Sequence, residues 1–85
     1  MTKINKSTIY KFYKAISNEY YIKTDHTVNN SKYGIGYEIY FDNRFVGIVY
    51  PESKMVHVRY DQEKHATRIA SLIDLSELED FTIEI

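Results

Sequence analysis

Between Ser7 and Tyr20 the apolar residues Ile9, Phe12, Tyr13, Ile16 and Tyr20 recur at intervals of three and four, with Lys11, Lys14 and Asn18 between them. That period predicts an amphipathic helix, and Ser7 or Thr8 is placed to cap its start. A second helical pattern opens at Asp61, an N-cap candidate, and carries Ala66, Ile69, Ala70, Leu72 and Ile73 as its buried stripe, with Lys64, Arg68 and Ser71 on the wet side. Each helix has one apolar side and needs a sheet to cover.

The chain between the helices changes period from 3.6 to 2. Residues 20–28 alternate weakly, "NNSK" reads as a turn, and strands follow near 33–41, 44–50 and 54–60. The closing "FTIEI" alternates Phe81, Ile83 and Ile85 with Thr82 and Glu84 and predicts a short edge strand. The fold class is therefore α+β: an antiparallel meander of three to four strands, with an N-terminal and a C-terminal helix packed on one face, in the order α-β-β-β-β-α-β. Residues 1–85 read as a single domain.

A register follows from the turns. With Asp42 and Asn43 as the two loop residues of a tight hairpin, Phe41 faces Arg44, Tyr40 faces Phe45, Ile39 faces Val46, Glu38 faces Gly47 and Tyr37 faces Ile48. A three-residue "PES" loop then pairs Tyr50 with Lys54, Val49 with Met55, Ile48 with Val56 and Val46 with Val58. One face collects Ile35, Tyr37, Ile39, Val46, Ile48, Val56 and Val58 for the helices to cover. The other carries three rows: Tyr40, Phe45 and Arg59; Glu38, Gly47 and His57; Gly36, Val49 and Met55. A one-residue slip would bury Glu38, His57 and Arg59 unpaired, which costs several kcal/mol, so the register is strongly favoured. An aromatic pair beside an arginine consequently looks out at solvent, with Gly47 leaving a dip between Glu38 and His57. Tyr, Phe and Arg are residue types that anchor interfaces.

Composition narrows the chemistry. The chain has no cysteine, so it offers no disulfide, no thiolate nucleophile and no zinc-cysteine cluster, and nothing points to an oxidising compartment. It shows no signal-peptide pattern and no apolar run long enough to span a bilayer, which points to the cytoplasm. His26, His57 and His65 lack metal-site spacing and read as surface or half-buried imidazoles. Glu38 and His57 lie on strands separated by a third, nearly 10 Å apart at about 4.8 Å per strand step, too far for an acid/base pair. "YGIGYE" is not a phosphate loop, because no helix opens after its glycines and no lysine follows. No catalytic, metal or cofactor residue is therefore expected, and the chain reads as a non-enzyme.

Net charge is −1 but unevenly spread. Residues 1–32 hold Lys3, Lys6, Lys11, Lys14, Lys23 and Lys32 against Glu19 and Asp25, whereas residues 74–85 hold Asp74, Glu77, Glu79, Asp80 and Glu84 with no base. The simplest consequence is that the two segments adjoin and partly neutralise each other; a second is that the acidic segment is itself a binding surface.

Two resemblances follow. The order helix, three-stranded meander, helix is similar to the double-stranded RNA binding domain, over roughly residues 33–73 plus the first helix. That family reaches phosphates from the start of its second helix, where this chain has "DQEKHATR", with Lys64 and Arg68 but also Asp61 and Glu63. Tyr40 and Phe45, with Arg59 beside them, also suit base stacking on an open sheet. In size, absence of catalytic motifs and bias toward Ile, Tyr, Lys and Asn, whose codons are A/T-rich, the chain resembles accessory proteins of phages and mobile elements, anti-CRISPR inhibitors among them. That resemblance implies a monomer or homodimer that inhibits a larger host protein such as a nuclease. It would bind through Tyr40, Phe45, Arg59, His57, Glu38 and Met55, or through Asp74, Glu77, Glu79 and Asp80 as a mimic of nucleic-acid charge. Nucleic-acid binding is the alternative.

Overall fold

The computed structural model describes residues 2–76, 78 and 81–85, with side chains from residue 9 onward. The element order is α1 (Thr2–Ile16), β1 (Tyr21–Asn30), β2 (Gly34–Phe41), β3 (Arg44–Tyr50), β4 (Met55–Val58), a 3-10 turn (Tyr60–Gln62), α2 (Glu63–Leu75) and β5 (Thr82–Glu84). The strands form a five-stranded sheet in the order β1-β2-β3-β4-β5; β1 to β4 are antiparallel neighbours and β5 joins β4 in parallel. This is the expected α+β meander with its late edge strand. Among the described residues, no helix is long and apolar enough to cross a membrane.

Both helices use the faces their periodicity predicts, with shifted ends. α1 runs through Ser7 and Thr8 instead of starting there, and it stops at Ile16, whose carbonyl accepts the backbone N–H of Glu19 at 3.0 Å and of Tyr20 at 2.8 Å. The early stop frees Tyr21 to begin β1 opposite Tyr40. Phe12 and Ile16 are fully buried, Ile9 packs against the core, and Tyr13 is 41% exposed instead of joining the stripe. In α2 the stripe rotates: Ala66, Ile69 and Ile73 are buried as expected, but Ala70 is exposed and His65 takes a buried place, four residues before Ile69. Asp61 does not cap α2; it lies in the 3-10 turn and pairs with Arg59 at 3.0 Å.

The hairpin tip obeys its predicted register, and the rest of β3 does not. Phe41 faces Arg44 and Tyr40 faces Phe45, with Asp42 and Asn43 at φ 51° and 66°, the left-handed pair of a type I′ turn. Beyond Phe45 the ladder shifts: Ile39 faces Gly47, Glu38 faces Ile48 and Tyr37 faces Val49, leaving Val46 as the extra residue of a β-bulge. The next connection spends four residues instead of three, Pro51 to Lys54, so Tyr50 faces Met55, Val49 faces Val56, Ile48 faces His57 and Gly47 faces Val58. The slip stays within β3. It moves Val49 into the core at 0% exposure and Ile48 onto the open face, without burying any of Glu38, His57 or Arg59. Ile35, expected in the core, is 51% exposed, outside the apolar cluster of Phe12, Ile16, Ile22, Ile39, Val46, Val49, Val56, Val58, Ile69 and their neighbours.

One polar clip ties three elements together. The Tyr20 hydroxyl and His65 Nδ1 share a hydrogen bond of 2.8 Å, and both rings pack against Phe41, at 5.4 Å and 4.7 Å between centroids. The clip joins the α1–β1 corner, the end of β2 and the start of α2, which is why His65 is buried and not at the surface. Outside it, Arg68 of α2 grips the Glu19 carboxylate through both Nε and Nη2 and holds it below the usual carboxylate range.

Burial, reinforced by Lys64, holds the His65 imidazole below its ordinary value. The unfolded chain therefore takes up a proton at this site before the native state does. The resulting stability is complete above the unfolded imidazole value of about 6.5, falls as pH drops through the native value, and is constant below it. Urea midpoints measured from pH 8 to pH 5 are expected to decline below pH 6.5, and His65→Gln to remove that part of the slope. A wild-type profile as flat as the variant's would contradict the clip.

Candidate functional site

The helix-free side of the sheet is set by strand alternation, and the structure brings the expected aromatic and arginine residues together there. Tyr40 and Phe45 meet edge to face at 5.9 Å, and the Arg59 guanidinium lies 5.8 Å from the Phe45 ring centroid. Arg59 is held there from two directions. Its backbone N–H donates to the carbonyl of Val46, the bulge residue, at 2.9 Å, and its Nη2 donates to Asp61 Oδ2 at 3.0 Å. The bulge residue thus catches the end of β4, so that Arg59 reaches over Phe45.

One residue extends this row beyond the expectation. Tyr21 of β1 stands opposite Tyr40 with ring centroids 6.5 Å apart and is 60% exposed. The signal for it was the alternation of "YYIK", which separates Tyr21 and Lys23 from the buried Tyr20 and Ile22. The Tyr40 hydroxyl donates to Glu38 Oε1 at 2.9 Å, and that carboxylate raises the phenol above its ordinary value, keeping it a donor.

The neighbouring row crosses the whole sheet: Lys23, Glu38, Ile48, His57 and Glu84 stand opposite one another on successive strands. The dip expected at Gly47 is absent, because Gly47 turns toward β4 and Ile48 takes its place, partly buried between Glu38 and His57. Met55 lies one step further on, opposite Tyr50. There the face is roofed: Tyr33, from the β1–β2 turn, packs on Tyr50 at 5.1 Å and leaves it 3% exposed. The exposed part of the surface is therefore the end carrying Tyr21, Tyr40, Phe45 and Arg59, not the end near Met55.

Of the acidic candidates, Asp74 is exposed in the last turn of α2, and Glu77, Glu79 and Asp80 lie outside the described residues. Phe81 stacks on Phe12 at 5.3 Å, which brings the residue before β5 against the first helix. The phosphate-contacting candidates of the RNA-binding resemblance divide: Lys64 is exposed, while Arg68 is committed to Glu19. Among the described residues, no group of three His, Asp or Glu side chains is placed to hold a metal ion. Compared with known proteins, the chain matches no family model, no curated protein and no solved structure.

The geometry defines a class of surface: a rigid antiparallel sheet presenting aromatic rings in mutual contact, with one arginine at their edge. Such a surface excludes water on contact and supplies direction through the Tyr40 and Tyr21 hydroxyls and the Arg59 fork.

Proposed function

We propose that this protein is a non-enzymatic binding module whose helix-free sheet face docks onto a larger protein. The observation that carries the reading is the row Tyr21, Tyr40, Phe45 and Arg59, standing in ring-to-ring contact on the solvent side of the sheet. Rings already ordered by their neighbours lose little conformational freedom on binding, so their burial converts efficiently into affinity. Within this class, action as an inhibitor of a host nucleic-acid-processing enzyme, in the cytoplasm of a low-GC bacterium, accords with the composition of the chain. The nucleic-acid alternative is disfavoured by the net charge of −1 and by Asp61 and Glu63 beside Lys64, because phosphate binding draws on a local excess of Lys and Arg that displaces the counterions of the nucleic acid.

Retention of a partner from low-GC bacterial lysate on the immobilised protein tests the reading, with Phe45→Ala as the matched control. Phe45 is part-exposed, so its removal should leave the fold intact while weakening a central contact by about 2 kcal/mol, roughly thirtyfold. Equal retention by both proteins removes the sheet face from the interaction. A nucleic-acid mobility shift that fades steeply with salt favours the alternative, and a dimer mass in light scattering that Phe45→Ala abolishes assigns the face to self-association.

A further inference from the structure

A second surface, sharing Tyr21 with the sheet face, lies where α1 overhangs the free edge of β1. A cleft of about 430 Å³ opens there, lined by Ile9, Tyr10 and Tyr13 of α1 and by Tyr21, Ile22 and Thr24 of β1. Its walls are mainly apolar, yet Tyr10 and Tyr13 of α1 stand at 62% and 41% exposure beside it, and Tyr21, which meets Tyr40 on the sheet face, at 60%. β1 is the first strand in the sheet order, so among the described residues its outer backbone groups have no strand partner.

We propose that this cleft receives an extended acidic peptide segment of a partner protein, which adds to β1 as a further strand and seats an apolar side chain between Tyr10, Tyr13 and Ile22. A free strand edge beside an amphipathic helix supplies both parts of strand-addition recognition: ladder hydrogen bonds for affinity and a side-chain pocket for specificity. The sign of the partner follows from the described side chains of α1, which include Lys11 and Lys14 and no carboxylate, beside a lining that is itself uncharged. Lys14 stands at the rim, its Nζ 5.6 Å from the Tyr10 ring centroid. The edge also argues against a second copy of this chain. Between Lys23 and Thr27 the register jumps, so Thr24, Asp25 and His26 bulge out of the ladder and leave only Tyr21 to Lys23 as regular edge before the break. A bulge of that size blocks long edge-to-edge pairing of two copies but leaves room for a short peptide.

The test is a titration of the ¹⁵N-labelled protein with three capped hexapeptides: alternating glutamate and leucine, alternating lysine and leucine, and the acidic sequence with N-methylated leucines that cannot donate to a ladder. The acidic peptide is expected to give saturable shifts at Tyr10, Tyr13 and Tyr21 to Thr24, binding about tenfold more tightly than the basic one. N-methylation should abolish binding and Lys14→Glu should weaken it, while Phe45→Ala binds as the wild type does. The last control separates this site from the sheet face, so either can fail without the other. Equal binding of the lysine peptide, equal binding of the N-methylated peptide, shifts confined to Tyr40 and Phe45, or no saturation at millimolar peptide each overturn the proposal.

Discussion

Gly47→Ala is expected to lower the folding free energy by about 2 to 4 kcal/mol, seen as a reduced urea midpoint with an unchanged slope. A Cβ at this position would lie 2.5 Å from the His57 carbonyl oxygen and 3.1 Å from Val58 Cα. Those are backbone atoms of β4 in the ladder that pairs Gly47 with Val58, so neither can rotate away. Relief requires β3 and β4 to separate, which loosens Val49 and Val56 in the core. Gly36 supplies the comparison. There the nearest atoms to an added Cβ, at 2.6 Å, belong to the Ile48 and Tyr50 side chains, which can shift without parting two paired strands, so Gly36→Ala should cost less. An alanine at 47 that leaves stability within about 0.5 kcal/mol of wild type would show that the bulged register of β3 is not the native one.

Phe12→Ala should be the most damaging of the large-to-small core changes, at about 3 to 5 kcal/mol. The side chain is fully buried and stacks on Phe81, so truncation both opens a cavity under α1 and releases the segment that leads into β5. Native stability for a chain of this length is about 4 to 13 kcal/mol, so the variant should be partly unfolded at room temperature or close to it. Phe81→Ala separates the two effects. It keeps α1 on the sheet while weakening the anchor of β5, and hydrogen exchange should speed at Thr82 to Glu84 before it speeds in β2 or β3. Uniform acceleration across the sheet would mean that β5 is not a separate unit.

The elements and the composition of the open face were legible in the pattern of side chains because alternation and helical period record which residues must avoid water. Tyr40, Phe45, Glu38, His57 and Arg59 reached the face assigned to them, and the Asp42–Asn43 turn fixed the first two pairs. The pattern did not reveal the bulge at Val46, because "VGIV" is apolar throughout and satisfies either register; only the close approach allowed at Gly47 and the fit of Val49 beneath the helices decide between them. His65 was misread for a related reason. A polar residue on a helix flank reads as exposed unless its partner is known, and Tyr20 is 45 positions away. The cleft beside β1 was hidden as well, since it depends on where α1 lies against a strand edge and not on any local spacing.

The fastening of Tyr20 to His65 and of Phe12 to Phe81 has a bearing on how the molecule comes together. Both links join segments far apart in the chain, whereas the three central strands connect through turns of a few residues. Closing long loops costs more entropy than closing short ones, so the meander should assemble early, with the aliphatic side of Ile39, Val49 and Val56 still bare until α2 arrives to cover it. In that interval the nascent sheet would expose its apolar side to other chains. Its solubility then depends on how soon the second helix follows, and slow passage through residues 60–75 would favour clumping over maturation.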